Sequence, residues 1–246
     1  MSPTIALQLY SVREAMAKDF AGTVRKVAEI GYPAVETAGL PGATAKEAAK
    51  LFRQLGLAVS SIHMFPPPTG AKLDEAREMC VDFGCRYIVS GYGPDDFKTP
   101  DLVKRTCNTF NEANAAITAS GLKFAVHNHW WEYLKIGDRY IYQMMLEYLD
   151  PGVLFELDTY WVRTAGPDPV AIVKMLGSRA PLLHIKDGPA DKDKPMTAVG
   201  DGILDFPAIL KASAGSAEWL IVEIDRVAGD MMEAVARSYN YLKKIA

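Results

Sequence analysis

Cysteine is scarce in these 246 residues: Cys80, Cys85 and Cys107 are the whole complement. Their odd number and the lack of metal-ligand spacing exclude a disulfide framework and a cysteine-held zinc site, leaving free thiols of a reducing compartment. Neither sign of charge is in excess, the formal net charge being -3. That balance gives no footprint for nucleic acid and no basic patch for an anionic membrane, and it disfavours a strongly anionic substrate. No run approaches the ~20 apolar residues of a membrane span. The first residues lack the charged leader and apolar stretch of a signal peptide, so a cytoplasmic protein is expected. No G-x-G-x-x-G follows the first predicted strand. With no linker and no low-complexity segment, a single domain over residues 1–246 is expected.

Against this background one stretch stands out, Val-Leu-Phe-Glu-Leu-Asp-Thr-Tyr-Trp at 153–161. Read as a strand, it places Leu154, Glu156 and Asp158 on one face and Phe155 and Leu157 on the other. Two carboxylates inside a core-grade strand call for a counter-charge, a metal ion or a cationic side chain. Two later strands follow the same plan. Residues 182–187 put Leu182, His184 and Lys186 on one face, and 219–225 put Ile221, Glu223 and Asp225 on one face. Three strand ends can converge only if the strands are parallel neighbours, as they are at the C-terminal mouth of a barrel.

The rest of the chain supplies that barrel. Strands are predicted at 5–12, 34–40, 58–65, 87–90, 123–129, 153–161, 182–186 and 219–224. Helices alternate with them at 20–30, 45–55, 73–83, 100–119, 139–149, 169–176, 206–211 and 231–244. Several helices end on Gly shortly before the next strand. Eight units in strict alternation give an α/β fold, a (β/α)8 TIM barrel. Long connections after the fifth and seventh strands, 130–138 and 188–205, are candidate lids or binding loops.

All four histidines, His63, His127, His129 and His184, fall at strand ends. Asp158, His184 and Glu223 form a mixed nitrogen and oxygen set suited to a divalent ion, Mn²⁺ first, with Mg²⁺, Co²⁺ or Zn²⁺ as alternatives. The plainer alternative is three buried polar residues satisfied within the core. His127 is expected as a fourth ligand or catalytic group and His129 as a substrate contact, against the alternative of a structural pair bonded to carbonyls. The H-x-H of amidohydrolase barrels belongs on a first strand, so its place on the fifth argues against that reading. Glu156 is either a second catalytic carboxylate or the partner of Lys186. Gln8, Tyr10, Glu36 and His63 face the same mouth. Trp130, Trp131, Tyr160 and Trp161 are candidate walls for a sugar ring, and Arg226 and Asp187 are rim candidates.

Taken together, Val-His-Asn-His-Trp-Trp-Glu-Tyr (126–133), Glu-Leu-Asp-Thr-Tyr-Trp (156–161), Leu-His-Ile-Lys-Asp-Gly (183–188), Val-Gly-Asp-Gly-Ile-Leu-Asp-Phe (199–206) and Val-Glu-Ile-Asp-Arg (222–226) resemble the xylose isomerase-like barrels, the sugar phosphate isomerases and epimerases. The resemblance covers essentially the whole chain. It implies metal ligation by Asp158, His184 and Glu223, and an isomerase or epimerase that acts on a ketose or related polyol through a metal-stabilised enediolate. Glu223 would be the base, and Glu156, His127 and Lys186 would be its catalytic companions. His63, His129, Trp130, Trp161 and Arg226 would contact substrate. Ketose epimerases of this group carry a glutamate at the end of the fifth strand, where this chain has His127. That departure brings in the inosose dehydratase branch and the elimination of 3-keto-glycosides, so a lyase is the alternative. The endonuclease-like zinc barrels need more ligands than four histidines supply, and a non-catalytic sugar-binding barrel is a further class. The expected partner is a small sugar or polyol, with no nucleic acid and no membrane, and the sequence is compatible with a homo-oligomer.

Overall fold

The computed structural model describes residues 2–246. Its elements in chain order are β1 (Thr4–Gln8), α1 (Arg13–Lys18), α2 (Phe20–Ile30), β2 (Ala34–Thr37), α3 (Ala45–Gln54), β3 (Ala58–His63), α4 (Ala71–Phe83), β4 (Tyr87–Ser90), α5 (Pro100–Thr118), β5 (Lys123–His127), β6 (Lys135–Ile136), β7 (Arg139–Tyr140), α6 (Ile141–Tyr148), β8 (Leu154–Asp158), α7 (Thr159–Ala165), α8 (Pro169–Leu176), β9 (Leu182–Ile185), α9 (Phe206–Ala212), β10 (Trp219–Val222) and α10 (Met231–Ile245). Eight strands close into a parallel barrel in the order β1, β10, β9, β8, β5, β4, β3, β2. The fold is therefore the expected single-domain (β/α)8 barrel. β6 and β7 stand apart as an antiparallel hairpin in the loop after β5.

The helices begin and end where the sequence supplies caps. Asp19 accepts the Gly22 amide at the start of α2, and Thr44 and Glu47 form a reciprocal capping box on α3. Gly31 closes α2 at φ +111°, a left-handed conformation that a side chain resists.

Two apolar cores result. The larger fills the space between barrel and helices. The smaller lies inside the barrel and includes Ala6, Ala34, Ala125, Leu182 and Ile221. Each of these stands two residues before a buried polar one on the same strand face: Gln8, Glu36, His127, His184 and Glu223. An apolar floor thus carries a polar layer above it, at the C-terminal end of the strands.

Several strands are shorter than the sequence predicts. The first stops at Gln8 because the Gln8 side chain accepts the Tyr10 amide and starts a helical turn, leading into α1. β2, β3 and β5 end at Thr37, His63 and His127. The run at 153–161 stops at Asp158, whose Oδ1 caps α7 by accepting the Trp161 amide at 2.9 Å. Tyr160 and Trp161 are therefore helical. Arg139 and Tyr140, predicted to open a helix, pair as β7 before α6 begins.

Candidate metal centre and substrate pocket

The polar layer is aligned by strand register. Asp158 pairs with His184 across β8 and β9, and His127 pairs with Glu156 across β5 and β8. Asp158 and Glu156 both point inward, Glu156 deeper, and both are fully buried. Asn128 braces this arrangement: its Oδ1 accepts the Asp158 amide at 2.9 Å and its Nδ2 donates to the Asp158 carbonyl at 3.3 Å.

Glu156 is the hub of the deeper level. Its Oε2 lies 2.7 Å from His63 Nε2, 3.1 Å from His127 Nδ1 and 3.1 Å from His184 Nε2. These approaches are close but misaligned. His63 Nε2, His127 Nδ1 and both Glu156 oxygens are buried without a hydrogen-bond partner. His184 Nε2 also meets Glu36 Oε1 at 2.9 Å, and its Nδ1 meets Glu223 Oε2 at 2.9 Å. Glu36 accepts from Gln8 Nε2 and Ser61 Oγ as well. Burial pushes Glu36 up to about 7, with the Glu156 carboxylate adding to the rise. Burial also opposes charge on His184, but Glu156, Glu36 and Glu223 outweigh it and raise His184 well above its usual range. Burial drives His127 down to about 3, which leaves it neutral and able to ligate.

The upper level is organised by Lys186, whose Nζ lies 2.7 Å from Glu223 Oε2, 3.1 Å from Asp158 Oδ2 and 3.1 Å from Asp225 Oδ2. The alternative pairing of Glu156 with Lys186 is not formed. Glu156 pairs with Leu182, and Lys186 stands beyond His184 on the same face, nearer the mouth. Burial opposes ionisation of Glu223, but Lys186 and His184 prevail and hold it well below the usual carboxylate range. Burial raises Asp158 to about 6 against the pull of Lys186.

These residues fit a divalent ion. His127, Asp158, His184 and Glu223 present ligand atoms all within 4.8 Å of one another, and His63, His127, Glu156 and His184 do the same one level down. Asp158 Oδ2 and His127 Nδ1 are buried without a hydrogen bond, and three carboxylates drawing a proton onto His184 mark a demand for positive charge there.

Above lies a cavity of about 530 Å³ lined by Tyr10, Ala38, His63, Phe65, His127, His129, Lys186, Glu223 and Asp225. Of the expected substrate contacts, His63 and His129 reach it. Trp130, Trp161 and Arg226 do not. Trp161 lies beneath Lys186, the ammonium 5.3 Å from its ring centre. Trp130 packs edge-on against Trp131, which stacks on His129 at 4.1 Å. Arg226 donates to the carbonyls of Lys192 and Lys194, tying down the loop after β9. Asp187, expected at the rim, is buried beneath that loop. Sequence reasoning did not single out Asn128, Ser61, Glu132 or Phe65. Asn128 falls on the outward parity between two histidines, and Phe65 reads as the apolar end of a strand before three prolines, so neither carries a local signal.

The family model for xylose isomerase-like TIM barrels matches residues 24–245. Two crystal structures of a sugar phosphate isomerase/epimerase from Parabacteroides distasonis superpose closely. One is 25% identical, with 99% of this chain and 94% of that chain covered and a TM-score of 0.82. The other is 26% identical, with 99% and 98% covered and a TM-score of 0.81. The fold alone is shared with a probable 3-DHS dehydratase from Bacillus anthracis, 14% identical over 98% of both chains at a TM-score of 0.76. No curated protein sequence matches the chain.

Proposed function

The chain belongs to the xylose isomerase-like TIM barrel family, and from that premise we propose that it is a divalent-metal-dependent sugar isomerase or epimerase acting on a ketose or related polyol through an enediolate. The observation that carries the reading is the placing of Glu223 in the pocket, its carboxylate 2.7 Å from Lys186 and 2.9 Å from His184. A carboxylate kept ionised beside a buried ammonium is a base with its charge-stabilising partner already in position. The resemblance to the Parabacteroides isomerase/epimerase, over nearly the full length of both chains, supports the same class.

Asp158, His184, Glu223 and His127 would hold the ion, Mn²⁺ being the expected species and Mg²⁺, Co²⁺ or Zn²⁺ the alternatives. When bound, it supplies Lewis-acid polarisation of a hydroxyl and a carbonyl on adjacent carbons. Glu223 takes the proton from the hydroxyl-bearing carbon next to the carbonyl, and the Lys186 ammonium offsets the negative charge that develops on the enediolate oxygen. Protonation of the same carbon from the opposite face by a second group, for which His127, His129, Glu156 and Lys186 are the candidates, gives an epimer, and transfer of the proton to the neighbouring carbon gives an isomer. His63 and His129 line the pocket and orient the sugar hydroxyls.

A lyase is the second reading, favoured by the imidazole of His127 where ketose epimerases carry their second carboxylate. The same enediolate would then expel a β-oxygen substituent, with His127 or His129 supplying the proton. Incubation with ketoses in deuterated water tests both. The expected result is deuterium at the carbon next to the carbonyl, lost in Glu223→Gln. Release of water or an aglycone would select the lyase, and no exchange into any sugar of a broad panel would refute both.

A further inference from the structure

Beneath the pocket, four strands send one side chain each to a single point. His63 ends β3, His127 ends β5, Glu156 lies in β8 and His184 in β9. The point is Glu156 Oε2, which His63 Nε2, His127 Nδ1 and His184 Nε2 approach at 2.7, 3.1 and 3.1 Å. His63 Nε2, His127 Nδ1 and both Glu156 oxygens are nevertheless buried without a hydrogen bond. Four unmet polar atoms gathered at one buried place are costly, and a single cation between them meets the nitrogen lone pairs and the carboxylate together.

The chain offers Glu156 no lysine in that role. Lys186 is engaged one level higher, by Asp158, Glu223 and Asp225. A second carboxylate adjoins the cage, because Glu36 Oε1 lies 2.9 Å from His184 Nε2 and Glu36 is held in place by Gln8 and Ser61. Glu156 and Glu36 together match the charge of a dication. The donor set also differs in kind from the upper one. Three imidazoles and one carboxylate suit Zn²⁺ or Co²⁺, whereas sets richer in oxygen suit Mg²⁺ and Mn²⁺.

We propose that His63, His127, Glu156 and His184 hold a second divalent ion, Zn²⁺ or Co²⁺, below the one assigned to the pocket. His184 serves both levels because its ring nitrogens face different carboxylates, Nδ1 towards Glu223 and Nε2 towards Glu36 and Glu156. With both ions bound, the ring bridges them and its remaining N–H proton passes to solvent. His127 Nδ1 faces Glu156, so His127 then serves the lower ion and Asp158, His184 and Glu223 hold the upper one. Four protein ligands complete a tetrahedral shell, which makes the lower ion a structural one that takes no substrate and ties β3, β5, β8 and β9 together. The proposal does not depend on which reaction the pocket catalyses.

Equilibrium dialysis and visible spectroscopy of the full-length protein, stripped of metal by a chelator, test it. The wild type is expected to bind one Mn²⁺ but two Zn²⁺ or two Co²⁺, and to show the intense visible band of four-coordinate Co²⁺. His63→Gln and Glu156→Gln should each lose one Zn²⁺ or Co²⁺ and the band while keeping the Mn²⁺, and Glu223→Gln should lose the Mn²⁺ and keep the band. Circular dichroism checks that each variant is folded, and His63→Gln, at the edge of the cage, carries the test if Glu156→Gln does not fold. A single Co²⁺ that persists in His63→Gln and is lost in Glu223→Gln, a band unchanged in His63→Gln, or no Zn²⁺ or Co²⁺ bound at all would overturn the proposal. A single Co²⁺ with the reverse pattern would sink the upper site and leave this one standing.

Discussion

Asn128 holds Asp158 by both sides of its backbone: the amide at 2.9 Å through Oδ1 and the carbonyl at 3.3 Å through Nδ2. The brace fixes the end of β8, and with it the carboxylate that caps α7 through Oδ1 and leaves Oδ2 facing the site. Asn128→Ala removes both bonds in a buried setting. It should cost about 1–3 kcal/mol of stability and weaken metal binding roughly 10- to 100-fold. Urea denaturation and a metal-chelator competition on the same variant check the two effects. A stability loss with unchanged metal affinity would reduce Asn128 to a structural role.

Asp187 makes a second prediction. Asp187→Ala strands four amides that now share one carboxylate. The loop at 188–205 must then open to water, at a cost of about 2–4 kcal/mol. Gly202→Ala should act the same way, since its Cβ would collide with Asp187. Limited proteolysis should cut both variants within 188–205 while sparing the wild type. Equal resistance in all three would show that the carboxylate does not organise the loop.

Much of this was legible in the sequence for a simple reason. Strand parity is geometric, so Glu156 with Asp158, and His184 with Lys186, had to share the barrel interior once the barrel was recognised. Parity does not give height along the barrel axis. That is why Lys186 was available as a partner for Glu156, although register sets Glu156 level with Leu182 and leaves Lys186 to Asp158, Glu223 and Asp225. Strand ends were illegible where a side chain caps a helix. Asp158 looks like one more strand residue, and the aromatic pair after it has high β-propensity, until its carboxylate takes the Trp161 amide. Arg226 looked like a rim cation because nothing local reveals that loop carbonyls, brought in from far along the chain, will bind it.

Glu132 supplies a pH prediction. Burial pushes its carboxyl up to about 8 despite the His129 amide it accepts at 2.9 Å, and its Oε1 has no partner. The folded chain therefore holds this proton more tightly than the unfolded one, whose carboxyl titrates near 4.5. The contribution is fully present below that value and is lost as pH rises towards 8, on the order of a few kcal/mol in all. Glu132→Gln, neutral throughout, should have a higher Tm than the wild type at pH 9 but not at pH 5. Thermal melts of both proteins across that range check the sign, and parallel curves would contradict it.

The most direct measurement is the metal content of the purified protein after Mn²⁺ loading and desalting, wild type beside His184→Ala and Glu223→Gln. Near-stoichiometric metal in the wild type, lost from both variants that remain folded, is the expected result for the Asp158, His184, Glu223 and His127 site. A wild type that retains no metal, or variants that retain it as well as the wild type, would show that the strand-end cluster is a buried charge network and not a metal centre.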